Sequence, residues 1–270
     1  MEEIITSASN ATVKRLRKLI SSSKARSDEN MYVAEGIHLA TSFLASGGIP
    51  ELYACATSAL SNPEIIELSK KLDAKTVRRV VITDSLFESI ASIHSSVGIL
   101  LLFSPSDRDN QLEAPLSDDA VLLENIQDPG NLGTILRTAA AVGIKTVALS
   151  PRSASPWSPK ALRAGMGAQF SLIIHENADI LEIADKANVP VLATTLAPGS
   201  QSLYDIDLSQ PVAWVMGNEG QGVSEVLARQ ADSRIFIPQT DGPVESLNVA
   251  AATAVCLYEQ YRQRLNSYKT

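Results

Sequence analysis

Cysteine and histidine are scarce in this sequence, which limits the chemistry that it can support. The two cysteines, Cys55 and Cys256, are far apart along the chain, and His38, His94 and His175 lack the spacing of metal ligands. A disulfide framework needs several cysteines, and a zinc site needs clustered cysteine or histidine. We therefore expect two buried thiols and no bound metal.

Long apolar stretches are also missing. The N-terminal region has no hydrophobic core of the signal-peptide type, and no stretch approaches the roughly 18 consecutive apolar residues of a membrane-spanning helix. Hydrophobic residues still make up 45% of the sequence, which is enough for a packed core in one large domain or two smaller ones. These features predict a cytoplasmic protein without membrane contact.

The sequence has no excess of positive charge. Its formal net charge of -7 excludes a uniformly basic nucleic-acid coat but permits a local basic patch. Residues 10–27 contain such a patch, with no acid among the cations Lys14, Arg15, Arg17, Lys18, Lys24 and Arg26. Apolar residues recur there at helical spacing, namely Val13, Leu16, Leu19 and Ile20. The pattern predicts an amphipathic helix whose basic face is either simply solvated or in contact with phosphate.

Common nucleotide-binding and hydrolase signatures are absent. There is no G-x-x-x-x-G-K-[ST] phosphate loop, and GNEGQG at residues 217–222 differs from the dinucleotide-binding order G-x-G-x-x-G. There is also no G-x-S-x-G nucleophile elbow. A nicotinamide-dependent oxidoreductase and a serine hydrolase are therefore disfavoured.

Strand and helix patterns alternate through most of the chain, which predicts an α/β protein with two domains. Residues 1–104 form a smaller α/β domain, with a helix expected over Ala34–Ser46. Residues 105–118 are polar and aperiodic and predict a linker. The alternation restarts at residue 119, and residues 119–270 end in a long helix expected over Asn248–Arg264. Repeated βα units predict a largely parallel sheet in this second domain.

Three polar, glycine-containing turns lie between a predicted strand and a predicted helix of the second domain. They are Glu124–Ala141 (ENIQDPGNLGTILRTAAA), Val215–Ser224 (VMGNEGQGVS) and Ile237–Ala252 (IPQTDGPVESLNVAAA). Taken singly, Asn131 or Ser246 could be a helix cap, Arg137 a surface residue and Glu219 a solvated acid. Three such turns in one α/β domain instead favour a small-molecule site at the carboxyl ends of the strands.

These three stretches resemble motifs 1, 2 and 3 of the SpoU (TrmH-type) branch of the SPOUT methyltransferases, in the family's order. The segment SPKALRAGMGA resembles the family's sequence between motifs 1 and 2, and the whole resemblance covers residues 119–265. Near the N-terminus, SASN and YVAEG resemble the L30e-like RNA-binding domain that is often fused to this catalytic domain.

The resemblance implies a trefoil-knotted SPOUT domain, S-adenosylmethionine as methyl donor, the 2'-hydroxyl of an RNA ribose as acceptor, and a homodimer. Because an N-terminal domain of this type is present, the resemblance favours ribosomal RNA as the substrate. Two alternatives stay open, namely methylation of transfer RNA and a non-catalytic RNA-binding module that retains the fold.

The resemblance also implies roles for individual residues. The catalytic set is Asn131, Arg137, Glu219, Ser246 and Asn248. The cofactor set is Thr194, Thr195, Leu196, Met216, Gly217, Asn218, Gly220, Ile237, Pro238 and Leu247. The RNA-binding set is the cations of residues 10–27 with Lys160 and Arg163. Because a guanidinium is a very poor base, we expect Arg137 to bind phosphate and stabilise alkoxide charge rather than accept the proton.

Overall fold

The computed structural model describes residues 4–92, 98–105, 115–240 and 246–267. His94, most of the predicted linker and residues 241–245 of the third motif lie outside the described residues. The chain forms two compact units. The first comprises Met1–Asp107 together with Trp157–Phe170, and the second comprises Arg108–Pro156 and Ser171–Thr270.

Strands and helices alternate along much of the described chain. The strands are β1 (Ile4–Ile5), β2 (Tyr32–Glu35), β3 (Leu52–Ala56), β4 (Arg78–Ile82), β5 (Ile99–Phe103), β6 (Ala120–Leu123), β7 (Thr146–Leu149), β8 (Ile173–His175), β9 (Val191–Thr194), β10 (Gln201–Ser202), β11 (Ala213–Met216) and β12 (Ser233–Phe236). The helices are α1 (Ala11–Ser21), α2 (Ser23–Glu29), α3 (Ile37–Ala45), α4 (Pro63–Ala74), α5 (Asp84–Glu88), α6 (Pro129–Ala141), α7 (Pro159–Gly165), α8 (Ile180–Asp185), α9 (Glu225–Gln230) and α10 (Val249–Ser267). None of these helices has the length and apolar character needed to cross a bilayer.

The first unit contains a mixed sheet with the strand order β1, β4, β3, β5, β2. The first three strands are parallel, whereas β5 runs antiparallel to both of its neighbours. The helix predicted over Ala34–Ser46 begins too early, because Tyr32–Glu35 is buried and pairs with β5 as a strand. Gly36, with a φ of 98°, then turns the chain into α3.

The basic segment predicted as one helix forms two helices. Ser22 ends α1 and caps α2, with its hydroxyl accepting the N–H of Ala25 at 3.2 Å. Val13, Leu16 and Leu19 are the buried residues of α1, as the periodicity predicts, whereas Ile20 of the predicted apolar face is only partly buried. The apolar face is therefore docked in the first unit, and Lys14 and Lys18 on the same helix are exposed.

The second unit contains a sheet with the strand order β10, β12, β9, β11, β6, β7, β8. Every recorded strand pair in it is parallel, which confirms the largely parallel sheet predicted from the repeated βα units. The trefoil knot stays a prediction. In a parallel sheet the carboxyl ends of the strands share one edge, and the three motifs follow the strands β6, β11 and β12 at that edge.

A cluster of aromatic side chains explains why Trp157–Phe170 belongs to the first unit. The ring of Phe170 lies 5.2 Å from that of Phe43 and 5.4 Å from that of Phe103, and the ring of Trp157 lies 6.4 Å from that of Tyr32. Aromatic rings at such separations attract one another beyond simple burial. The sequence-based domain limits place this segment in the second domain and do not account for its packing.

Candidate active site

The carboxyl ends of β6 and β11 place the first two motifs beside each other. The two strands are parallel neighbours with Leu123 opposite Met216. The N–H of Glu124 donates to the carbonyl of Met216 at 2.9 Å, one residue beyond the end of β6. The turn of motif 1 and the glycine-rich turn of motif 2 therefore leave the sheet side by side.

The carboxylate of Glu219 connects these two turns. Its oxygens accept hydrogen bonds from the backbone N–H groups of Gln127 (3.1 Å) and Asp128 (3.0 Å) and from the side-chain amide of Asn131 (3.2 Å). Burial alone raises the pKa of this carboxyl, but these donors favour the charged form, and the net effect is a lowered pKa. Glu219 is therefore an ionised acceptor that holds the amide of Asn131 in one orientation.

Asn248 joins the third motif to the same network. Its side-chain nitrogen donates to Oδ1 of Asn131 at 3.0 Å, and its own Oδ1 accepts the N–H of Ala250 at 2.9 Å. Because Asn131 donates to a carboxylate and accepts from an amide, its nitrogen and oxygen have a unique assignment. The structure thus brings together one predicted catalytic residue from each motif.

Helix capping accounts for other polar residues of the turns. Asp128 caps α6, with Oδ1 accepting the N–H groups of Gly130 (2.7 Å) and Asn131 (2.9 Å). Asn248 caps α10 in the same way. These acceptors satisfy N–H groups that have no partner inside the helix. The alternative interpretation of Asn131 or Ser246 as the helix cap is therefore wrong.

Arg137 lies on the exposed side of α6, and Ser246 is exposed just before α10. Within the described residues, neither side chain forms a hydrogen bond or an ion pair, so neither is joined to the network of Glu219, Asn131 and Asn248. The guanidinium of Arg137 is thus open to an anion from solvent.

The predicted cofactor residues lie at the carboxyl ends of three neighbouring strands. Strands β12, β9 and β11 are adjacent and parallel. The residues that end or follow them are Thr194, Thr195, Leu196, Met216, Gly217, Asn218, Gly220, Ile237 and Pro238, and Leu247 lies shortly before α10. The sheet therefore brings the three parts of this set to one edge.

This edge offers exposed apolar side chains and a closely packed main chain. Leu196 is 59% exposed and Leu247 38% exposed. Gly217 passes so close to Gly222 that a Cβ would lie 2.0 Å from the carbonyl carbon of Gly222, which excludes any side chain there. Apolar walls beside a bare backbone suit an adenine ring and a ribose, so these residues fit S-adenosylmethionine.

The main chain of Asn218, a member of the cofactor set, forms hydrogen bonds within the motif 2 turn. Its N–H donates to the carbonyl of Gly222 at 3.1 Å, and its carbonyl accepts the N–H of Gly222 at 2.9 Å. The backbone of Asn218 therefore closes the motif 2 turn and has little left to offer a ligand.

The predicted RNA-binding cations fall into three groups. Lys14, Lys18 and Lys24 are exposed on α1 and α2, and Lys160 and Arg163 are exposed on α7. All five belong to the first unit. They are the members of the set that present charge to solvent.

Arg15 and Arg17 are partly exposed and have protein partners. Arg15 forms ion pairs with Glu29 and Glu51, and its hydrogen bonds to Glu51 and then to Glu29 are the main causes of its raised pKa. Arg17 donates to the hydroxyl of Ser89 at 2.9 Å. Although no acid lies within residues 10–27, the fold thus brings two carboxylates to this basic face.

Arg26 is buried and has a structural role. Only 8% of it is exposed, and its guanidinium donates to the carbonyls of Leu19 (2.7 Å) and Ile20 (3.0 Å) at the end of α1. Burial lowers the pKa of this arginine. Its prediction as an RNA contact is not supported by this geometry, because the donors already satisfy helix carbonyls.

Comparison with known proteins supports both domains. Residues 119–258 match the SpoU rRNA Methylase family, and residues 10–100 match the MRM3-like substrate binding domain. A relative from Synechocystis sp., named an uncharacterized tRNA/rRNA methyltransferase, is 34% identical over 263 residues, which are 96% of this chain and 94% of the relative. The 23S rRNA (guanosine(2553)-2'-O)-methyltransferase RlmP of Bacillus subtilis is 30% identical over 260 residues, which are 94% of this chain and 97% of the relative.

A solved structure of a related protein has a similar fold. The crystal structure of an AdoMet-bound rRNA methyltransferase from Sinorhizobium meliloti superposes with a TM-score of 0.85 at 31% identity, covering 96% of this chain and 97% of that chain. The motifs, the parallel sheet and near full-length similarity to these relatives agree with one another. The chain belongs to the SpoU rRNA methylase family.

Proposed function

We propose that this protein transfers a methyl group from S-adenosylmethionine to a ribose 2'-hydroxyl in ribosomal RNA, and that it does so in the cytoplasm. The observation that carries the proposal is the hydrogen-bonded line from Glu219 through Asn131 to Asn248, which joins all three motifs at the edge where the candidate cofactor residues lie. The names of the relatives from B. subtilis and S. meliloti support ribosomal RNA as the substrate class.

The residues of this chain would bind the cofactor and orient the acceptor. S-adenosylmethionine supplies a methyl group on a sulfonium centre, and it would be held by the main chain near Gly217 and Ile237 and by the exposed leucines of the cofactor set. Asn131 would provide a polar group whose orientation is set by its hydrogen bonds to Glu219 and Asn248. Such preorganised dipoles stabilise developing charge at low cost.

Arg137 is the member of the catalytic set best suited to contact RNA. Its guanidinium is exposed and has no partner within the part of the chain that the structure describes. A guanidinium presents several N–H donors in a planar fork that matches phosphate, and it keeps its charge throughout the physiological pH range. Arg137 would therefore bind the phosphate of the target nucleotide and stabilise the alkoxide. The 2'-oxygen would take the methyl group as its bond to sulfur breaks, which leaves S-adenosylhomocysteine, and the hydroxyl proton would pass to solvent water.

The exposed cations of the first unit would bind the RNA outside the target nucleotide. Lys14, Lys18, Lys24, Lys160 and Arg163 can contact phosphate groups, and such contacts recognise RNA by its charge and shape rather than its sequence. Arg26 is not part of this surface because its guanidinium is buried.

A homodimer is part of the proposal. Helix α10 exposes Tyr258 (52%), Tyr261 (39%) and Leu265 (44%) at helical spacing on one face. Exposed aromatic and aliphatic side chains on one face are typical of a protein interface. Sedimentation velocity of the full chain should show a dimer and a Leu265→Glu variant should shift it toward monomer. A parent protein that sediments only as a monomer would contradict this part.

A methyl-transfer assay tests the function directly. The purified protein is incubated with labelled S-adenosylmethionine and with unmodified ribosomal RNA or transfer RNA. We expect label in ribosomal RNA at a bond that resists alkaline hydrolysis, because a methylated 2'-oxygen cannot attack the neighbouring phosphate. Label in transfer RNA alone would show that transfer RNA, not ribosomal RNA, is the substrate. Failure to bind S-adenosylmethionine in calorimetry would favour the non-catalytic RNA-binding module.

A further inference from the structure

The side chain of Asn218 is engaged between the first two motifs. Its Oδ1 accepts the N–H groups of Gly220 (2.9 Å) and Gln221 (3.1 Å), which lie in its own turn. Its Nδ2 donates across to the carbonyl of Asn125, in the motif 1 turn, at 2.8 Å. One side chain therefore both shapes the turn that carries Glu219 and connects that turn to motif 1.

The acceptor of this hydrogen bond is itself held in an uncommon conformation. Asn125 has a φ of 56°, in the left-handed region that residues other than glycine rarely adopt. Its N–H donates to the hydroxyl of Ser150 at 2.8 Å, and that hydroxyl donates back to Oδ1 of Asn125 at 3.1 Å. The carbonyl of Asn125 thus has a defined direction, set by a residue that follows the neighbouring strand β7.

The two residues whose backbone N–H groups donate to Glu219 lie shortly after Asn125 in the chain. Gln127 and Asp128 are two and three residues after Asn125, and Glu219 is the residue after Asn218. The hydrogen bonds from Gln127 and Asp128 to Glu219 need both turns in the correct mutual position. The Asn218–Asn125 hydrogen bond is a direct contact that sets this position.

We propose that Asn218 is a positioning residue for the methyl-transfer site, whose side chain places the Glu219 carboxylate against the motif 1 turn. The inference rests on the proposed function and gives Asn218 a role through its side chain rather than through cofactor contacts. Glu219 in turn orients Asn131 through a hydrogen bond. A displacement of the motif 2 turn would therefore move Glu219 and change the orientation of the Asn131 side chain. A small displacement of an orienting group can reduce the rate by about 100-fold.

The variant Asn218→Asp isolates the contact between the turns. An aspartate keeps the oxygen that accepts the N–H groups of Gly220 and Gln221, but it loses the donor to Asn125 and places a negative oxygen against a carbonyl. Asn218→Ala removes both functions. The matched control is Asn188→Asp, because Asn188 is exposed and, among the described residues, its side-chain amide donates only to the hydroxyl of Ser117 in the same unit.

Kinetics provide the first measurement. We expect Asn218→Asp to lower kcat roughly 10- to 100-fold with little change in KM for RNA. Asn218→Asp should cause no further loss of kcat in a protein that already carries Glu219→Gln, since the effects of two residues that act through one another are not additive. Asn188→Asp should keep the parent rate. A kcat for Asn218→Asp within about twofold of the parent, or a full additional loss in the double variant, would overturn the proposal.

Amide hydrogen exchange provides a measurement that does not depend on catalysis. The N–H groups of Gln127 and Asp128 should exchange faster in Asn218→Asp than in the parent or in Asn188→Asp, because their acceptor has moved. Unchanged exchange at both amides would overturn the proposed role. If the parent protein transfers no methyl group to RNA, the proposed function fails, whereas the exchange data still decide whether Asn218 places Glu219.

Discussion

At the scale of single residues, Arg137 has the most direct test. Its guanidinium is exposed on α6, and no part of the candidate cofactor edge lies on that helix. Arg137→Ala should therefore lower methyl transfer by about 100- to 1000-fold, the usual cost of removing a group that stabilises developing charge. S-adenosylmethionine affinity, measured by calorimetry, should not change.

A second variant separates charge from shape at the same position. Arg137→Lys keeps a positive charge but loses the planar fork, so it should recover only part of the activity. Full activity in Arg137→Ala would remove Arg137 from the catalytic set. Loss of cofactor affinity in that variant would instead place the residue at the cofactor.

The lowered pKa of Glu219 has a consequence for the dependence of stability on pH. A carboxyl whose pKa is depressed by folding contributes stability above its ordinary pKa, and the contribution disappears as the pH falls through the lowered value. The Glu219→Gln variant lacks this ionisable carboxyl. The difference in unfolding free energy between the parent and Glu219→Gln should therefore shrink on acidification. A difference that stays constant from neutral to acidic pH would mean that the carboxylate is not held as described.

The site was predictable from the sequence where short motifs carry it. Asn131, Glu219 and Asn248 stand out because each lies in a polar turn between a strand and a helix, and the structure joins them. The roles of Asn125 and Ser150 were not predictable, because they depend on which strands are neighbours in the sheet. Burial of Arg26 likewise depends on where α1 ends, which helical periodicity does not define.

At the scale of elements, the carboxylate of Asp119 binds several groups, two of them in the C-terminal half of the last helix. Asp119, just before β6, accepts hydrogen bonds from Gln260 (2.7 Å) and Arg264 of α10 and from the N–H of Val212 (3.0 Å). Its side chain is only 13% exposed, and that of Arg264 is 25% exposed. Asp119→Ala would remove the carboxylate that pairs with this partly buried arginine and leave it the backbone carbonyls of Leu208 and Gln210 as acceptors, which should lower the unfolding free energy by about 2–4 kcal/mol.

An exposed ion pair in the same unit is the control for this prediction. Glu182 of α8 forms an ion pair with Lys186, the residue after the helix, but their side chains are 59% and 62% exposed. Glu182→Ala should cost no more than about 0.5 kcal/mol, because solvent screens such pairs. Denaturant unfolding of both variants provides the comparison. Equal losses would show that the contacts of Asp119 with α10 are no stronger than a surface pair.

Elements were predictable where burial has a clear period. The apolar runs of β5, β6 and β11 are buried along their whole length, as expected for strands covered on both faces. Strands β1 and β10 have two residues each and carry no periodic signal. Ala34 and Glu35 are wrongly predicted as the start of a helix, because the strand Tyr32–Glu35 forms by pairing with β5, which is distant in sequence.

At the scale of the whole molecule, a stretch that is continuous in sequence need not belong to one packing unit. Residues 119–258 match one family, yet Trp157–Phe170 within that range packs with the first unit. Periodicity reports which residues are buried but not which core they join. The aromatic contacts show which core this segment joins, since the ring of Phe170 packs against the rings of Phe43 and Phe103 in the first unit.

Phe170→Ala tests whether this segment completes the core of the first unit. Phe170 is 8% exposed and its ring faces three other aromatic rings, so its truncation should cost about 3–5 kcal/mol. Ile49→Ala is the control, because Ile49 belongs to the same unit and is 63% exposed.

Since two units need not unfold together, the loss of stability is best followed by amide hydrogen exchange in β5, where Phe103 lies, and in β11 of the second unit. We expect faster exchange in β5 and little change in β11. Protection of β5 equal to that in Ile49→Ala would show that the first unit is stable without the aromatic packing of this segment.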